Sequence, residues 1–414
     1  MMRAYERFLH YVSYDTQSDI ASQSVPSTEK QKVFGQELVR ELRQLGLADA
    51  RMDRCGYVYA TLPASPGCEG IEPVALIAHM DTAMDMSGAN IKPRIVEHYD
   101  GGDIPLNQQL GIVTRVADFP ALKGYVGQDL IVTDGTTLLG ADDKAGVAEI
   151  VTMAEGMLAD PTLPHPTVKL VFTPDEEIGR GVDHIDLEQV GARRGYTVDG
   201  GAVGDLQYEN FNAAAAQVTI HGVTAHTGYA KGVLRSALLL AMEFQAMLPV
   251  FENPACTENR EGFYHLDRME GRVELAQMHY IIRDHDMALF QRRKQLMERA
   301  AAYLNEKYGP GTVELQLTDT YYNMYEQIRP HQDLVDNAAQ AMRDCGVEPV
   351  SEPPIRGGTD GSRLSYMGLP CPNLCTGGHN GHGRHEFVSV QAMDKVVEIL
   401  TALMGIYGKE GQQP

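Results

Sequence analysis

The chain reads as an α/β protein in two parts. One is a domain with a largely parallel sheet flanked by helices; the other is an inserted α+β domain with an antiparallel sheet. Three observations predict this. Residues 74–78 and 168–172 are apolar runs of strand length with little alternation, the pattern of strands buried on both faces of a parallel sheet. From about Asn210 the strands alternate apolar and polar positions, as they do in a sheet solvated on one side. After about residue 325 the earlier style returns, so the expected division is 1–209 with 325–414, interrupted by 210–324. A chain of 414 residues also exceeds what one hydrophobic core usually accommodates.

The elements follow in order. Residues 3–45 predict two helices separated by a polar loop (15–28), the second helix placing Val33, Leu38, Leu42 and Leu45 near one face. A strand over 58–62 precedes turn residues 63–70. The buried run 74–78 ends in His79-Met80-Asp81. Residues 90–134 form an insertion of short strands and loops. A helix is expected from Ala145 to about Leu158, starting beside Asp142 and Asp143. The run 168–172 leads into Asp175-Glu176-Glu177, and a third run, 196–198, ends in Asp199. In the inserted domain we expect a strand at 213–220, a helix at 233–248 and an irregular segment to Gly271. Strands near 273–283 and 312–318 then flank a helix at 286–308. The last part carries helices at 332–343 and 390–407 around the glycine- and histidine-rich stretch 376–386.

Composition limits the function classes. A hydrophobic fraction of 43% with 22% charged residues is that of an ordinary globular protein. The net charge of −21 argues against nucleic acid or anionic membrane as partner. No apolar run approaches the length of a membrane span. Residues 1–8 lack a signal-peptide core, so a cytoplasmic location is the expectation. Six cysteines are scattered, and the pair Cys371 and Cys375 lacks the two-residue gap of a redox or zinc motif.

The chemistry lies at the strand ends. In open α/β sheets, ligand sites sit beyond the carboxyl ends of the strands, and here those ends carry His79 and Asp81, Glu176 and Glu177, and Asp199. A lone Asp at a helix start is most often a cap. Two adjacent ones let Asp143 cap while Asp142 bridges two ions. His, Asp and Glu without Cys suit Zn²⁺, Mn²⁺ or Co²⁺. A two-metal centre also needs a carboxylate to move the proton of an activated water, and the Glu176-Glu177 pair offers one ligand and one base. No nucleophile-elbow sequence and no phosphate-cradling glycine loop is present.

Five segments in order carry a family resemblance. They are His79-Met80-Asp81-Thr82, Gly140-Ala141-Asp142-Asp143-Lys144-Ala145-Gly146, Pro174-Asp175-Glu176-Glu177-Ile178-Gly179, Val198-Asp199-Gly200-Gly201 and His382-Gly383-Arg384-His385-Glu386-Phe387. Together they resemble the co-catalytic zinc peptidases of the M20 family. The resemblance implies two Zn²⁺ per subunit, one held by His79 and Asp199, the other by Glu177 and His382, with Asp142 bridging. It implies Asp81 as the group orienting His79, Glu176 as general base, and a cis peptide between Asp142 and Asp143. His226 would stabilise the oxyanion in the partner's site. Arg283 would bind the peptide carboxylate, with Arg356 and Asn323 as further substrate contacts. The inserted domain would act as lid and homodimer contact. The implied activity is a dizinc aminopeptidase removing the N-terminal residue of tripeptides. A dipeptidase, carboxypeptidase or N-acyl amino acid amidohydrolase of the family keeps the same chemistry. A silent peptide-binding protein would need a lost ligand or base, and none is lost.

Overall fold

The computed structural model describes residues 1–410. The chain clusters into two compact units, one of residues 1–208, 326–351 and 359–414, the other of 209–325 and 352–358. The return of 352–358 to the second unit departs from the expected uninterrupted 325–414 run. Its physical basis is Arg356, which donates to the Asn259 and Glu261 carbonyls and to Thr257 Oγ1 of that unit.

The first unit is organised on a seven-stranded sheet in the order Arg51–Met52, Val58–Leu62, Val168–Thr173, Val74–His79, Gly195–Gly200, Asn373–Cys375, Leu206–Gln207. The four strands from Val168–Thr173 to Asn373–Cys375 pair in parallel, and antiparallel strands close both edges. Strand Val74–His79 is buried at all six positions, as its unbroken apolar run requires. Three parallel neighbours therefore bring His79, Thr173 and Asp199 to one edge of the sheet.

Helix Ala141–Ala159 is buried almost all round. It packs on strand Val74–His79, on helix Ala4–Tyr11 and on the final helix Val390–Glu410. Such closeness needs small residues: a Cβ on Gly146 would lie 2.0 Å from the Val198 carbonyl oxygen. The helix at Glu29–Gln44 corrects the expected face. It buries Phe34, Gly35, Leu38 and Leu42, while Val33 is exposed; the aromatic ring one position on claims the core. The insertion contributes strands Arg94–Val96 and Leu130–Val132, and Phe387–Ser389 pairs with the latter. This pairing anchors the C-terminal end of the loop that carries His382.

In the second unit a four-stranded antiparallel sheet runs in the order Phe263–Gly271, Leu275–Asp284, Asn212–His221, Val313–Tyr321. Residues 263–271, expected to be irregular, are a strand. Their polar tail pairs with Leu275–Asp284 as a hairpin, so hydrogen bonding rather than apolar pattern defines it. Strand Leu275–Asp284 alternates strictly: Ala276, Met278, Tyr280 and Ile282 face a core shared with helices Ala237–Ala246 and Met287–Tyr308. Among the described residues no helix is long and apolar enough to cross a membrane.

Candidate metal centre

Each predicted ligand of the first unit reaches the same place by a different route. His79 ends its strand, Asp199 lies near the end of the adjacent one, and Glu176 and Glu177 open a short 3-10 turn just past Thr173. Asp142 follows Gly140, whose φ of 78° turns the chain into the buried helix. His382 sits in a loop with a φ of 64°.

The geometry centres on Asp142. Its Oδ1 lies 2.9 Å from His79 Nε2, and its Oδ2 lies 3.3 Å from His382 Nε2. On the first side, Asp199 Oδ1 is 3.5 Å from the same His79 nitrogen. On the second, Glu177 Oε2 is 2.9 Å from His382 Nε2. One carboxylate thus faces two imidazoles with its two oxygens, and each imidazole has a further carboxylate of its own. Ligand atoms of His79, Glu176 and Asp199 also lie within 4.8 Å of one another, as do those of His79, Asp142 and Glu177. Glu176 therefore adjoins the first side.

The donor set fits divalent cations. Burial pushes Asp199 up to about 6 and Glu177 up to about 7, and raises Glu176 well above the ordinary carboxylate range. Hydrogen bonds that its imidazolium donates to Asp142 and Glu177 raise His382 to about 11. Burial opposes a charge on His79, yet Asp199, Asp142 and Asp81 together raise it. Carboxylates and imidazoles crowded in this way need compensating positive charge, which protons or metal ions supply. Glu177 Oε1 is buried without a hydrogen-bond partner among the described residues, as a ligand atom waiting for an ion would be.

A second layer positions the first. His79 Nδ1 lies 3.1 Å from the Asp81 carbonyl oxygen and 3.3 Å from its Oδ1. The Asp81 carboxylate also accepts the backbone N–H of Glu176 and of Glu177. Asp143 accepts the Gly146 N–H in the manner of a cap, and the His79 N–H as well. The Asp142–Asp143 peptide is cis.

Two positioning groups escaped the sequence reading. Glu386 is buried and accepts three backbone N–H groups, from Leu139, Gly140 and Asp142. Asp175, with φ 59°, accepts from Ser27 N and Gln31 Nε2 and so holds the Glu176 turn. The only local signal was an acid beside each motif; the partners lie more than 140 residues away in the chain. His379 and His385 are engaged elsewhere, the first with the Tyr125 hydroxyl, the second with Thr114 Oγ1.

The remaining candidates belong to the second unit. His226 is exposed, and its Nδ1 accepts from Gly228 N, which leaves the proton on Nε2. Arg283 lies on the outward side of its strand with its guanidinium 5.2 Å from the Tyr321 ring centroid. No carboxylate among the described residues forms an ion pair with it. Arg356 and Asn323 are each engaged within that unit. The Arg356 guanidinium is taken up by the carbonyls named above and lies over Phe211 and Phe263. Asn323 is buried: its Oδ1 accepts from Asn210 N and Tyr325 N, and its Nδ2 donates to the His285 carbonyl. Both side chains make these bonds within their own unit.

The family model for peptidase family M20/M25/M40 matches residues 134–405. Peptidase T of Caldanaerobacter subterraneus subsp. tengcongensis is 51% identical over 411 residues, 99% of this chain and 100% of its own length. Among solved structures, the aminopeptidase PepT of Bacillus cereus ATCC 10987 aligns with a TM-score of 0.77 at 23% identity, covering 98% of both chains. A tripeptidase of Staphylococcus aureus subsp. aureus Mu50 gives the same TM-score and coverage at 21% identity.

Proposed function

The chain belongs to peptidase family M20/M25/M40 and is a peptidase, and from that premise we propose that it is a dizinc aminopeptidase releasing the N-terminal residue of tripeptides. The observation that carries this reading is Asp142, with one oxygen toward His79 and the other toward His382. His79 and Asp199 would hold one Zn²⁺, Glu177 and His382 the other, with Asp142 shared between them. Ions so bound lower the pKa of a water and polarise the scissile carbonyl.

The protein's own residues do the rest. Glu176 takes the water's proton and passes it to the leaving amine; burial raises its affinity for the proton. Asp81 accepts from the His79 Nδ1–H, leaving Nε2 as the ligand. In a homodimer, the Nε2–H of His226 would donate to the oxyanion in the second subunit's site. Arg283, a half-buried guanidinium with no acid partner among the described residues, would grip the substrate's free carboxylate as a fork. The inserted unit would then serve as lid and dimer contact, in a cytoplasmic enzyme.

The test is hydrolysis of Ala-Ala, Ala-Ala-Ala, Ala-Ala-Ala-Ala and N-acetyl-Ala-Ala-Ala by the zinc-loaded protein. The expected result is cleavage of the tripeptide above the others, to Ala and Ala-Ala. Preference for the dipeptide or the acetylated peptide would overturn the tripeptide aminopeptidase assignment.

A further inference from the structure

A cavity of about 220 Å³ opens directly on the centre within the first unit, bordered by Asp142, Asp199, Gly200, Gly378, His379 and Asn380. Its size suits a single amino-acid residue. No lysine or arginine lines it. The His379 ring adds no charge at neutral pH, since burial lowers its pKa to about 4. The walls thus present oxygens and neutral groups. With Asp142 and Asp199 committed to the metal ions, the rest of the lining is neutral apart from Glu386 and offers no cation to pair with a substrate carboxylate.

One polar group in this wall has no structural duty on its acceptor side. Asn380 is held at φ 58° in a turn folded against Asp142, so tightly that a Cβ on Gly381 would lie 3.0 Å from Asp142 Oδ2. Its Nδ2 donates to the His385 carbonyl at 3.0 Å. A carbonyl oxygen can only accept, so this contact fixes which end of the amide is NH₂. Oδ1 is left as an acceptor that no donor among the described residues reaches.

We propose that Asn380 reads the free α-ammonium group of the substrate, Oδ1 accepting one of its N–H bonds while the cavity holds the N-terminal residue. The inference rests on the aminopeptidase reading and gives it a residue-level basis: the site selects a free amino end, and an acylated one forfeits a charge-assisted hydrogen bond. The same amide cannot discriminate by charge repulsion, so selection is by loss of contact rather than by exclusion.

The experiment compares Ala-Ala-Ala with propionyl-Ala-Ala, which has the same skeleton without the amine, on the zinc-loaded wild type, Asn380→Ala and Asn380→Asp. We expect Asn380→Ala to raise KM for Ala-Ala-Ala about tenfold or more, the size of a lost hydrogen bond to a charged group. Its kcat should stay within about twofold, and the constants for propionyl-Ala-Ala should not move. Asn380→Asp, which keeps the acceptor, should restore the preference. Equal losses on both substrates, or an unchanged preference in Asn380→Ala, would overturn the assignment. Should the wild type fail to cleave Ala-Ala-Ala, the functional reading itself fails. Calorimetric binding of both compounds to Glu176→Ala then decides the inference: tighter binding of the amine-bearing peptide that depends on Asn380 upholds it, and its absence overturns it.

Discussion

The Asp81 carboxylate accepts the backbone N–H of Glu176 at 3.0 Å through Oδ1. Its second oxygen accepts from Glu177 N at 3.2 Å, and its first also lies 3.3 Å from His79 Nδ1. One buried side chain therefore ties the end of one strand to the turn beyond its neighbour, and fixes the imidazole relative to both glutamates. Asp81→Asn keeps the shape but replaces an acceptor oxygen with an NH₂, leaving one of these donors unmatched. Zinc affinity should fall about 10–100-fold, the usual effect of removing such a support. Competition with a chromogenic chelator measures it; an unchanged affinity would remove Asp81 from the positioning role.

Glu176 adjoins the His79 and Asp199 side closely enough to be either ligand or base. The two roles separate under substitution. As base, Glu176→Ala should retain both metals by elemental analysis while kcat falls about 10²–10⁴-fold or more. Loss of one metal equivalent would make it a ligand instead.

Arg283 projects from the outward side of a strand whose other side is core, and burial pulls its pKa down. It donates to the Ile282 carbonyl but has no acid partner among the described residues, and a guanidinium in that setting gains from a carboxylate. Arg283→Ala should raise KM for Ala-Ala-Ala by about 10–100-fold, corresponding to about 1.5–3 kcal/mol. Arg283→Lys should recover little of this, because an ammonium lacks the planar fork. The amidated peptide Ala-Ala-Ala-NH₂ is the control, and its KM should be insensitive to both changes.

Glu149 lies in the buried helix with neither carboxylate oxygen partnered among the described residues. Burial raises its pKa well above the usual 4.5. The folded protein thus holds a proton that the unfolded chain releases, so stability falls as pH rises between the two values, by about 1.4 kcal/mol per unit. Glu149→Gln cannot ionise. Its Tm should exceed that of the wild type at pH 8 and lose that advantage as pH drops toward 4. Parallel Tm–pH curves for the two proteins would show that Glu149 does not titrate in this window.

The cluster of acids and histidines was legible because it sits where local pattern is strongest. Unbroken apolar runs end abruptly in His79, Glu176 and Asp199, and two acids at a helix start mark Asp142. Such signals survive in a linear chain because strand and helix ends are defined by neighbours in sequence. Arg356 and Asn323 had no comparable signal. Each stands next to motif-like residues, but whether a polar side chain meets a substrate or a distant carbonyl depends on what folds against it.

The sequence by itself determined the order of elements, the parallel character of the central strands and the donor types gathered at their ends. Burial period, charge and spacing are properties of short segments, and they need no knowledge of the rest of the chain. Tertiary structure alone decided that Glu386 reaches back 244 residues to hold the Asp142 N–H, that Asp175 is bolted by Gln31, and that Asn380 borders the cavity while its amide donates to the His385 carbonyl. These are hydrogen bonds between segments remote in sequence, and only the packed fold specifies which donor finds which acceptor.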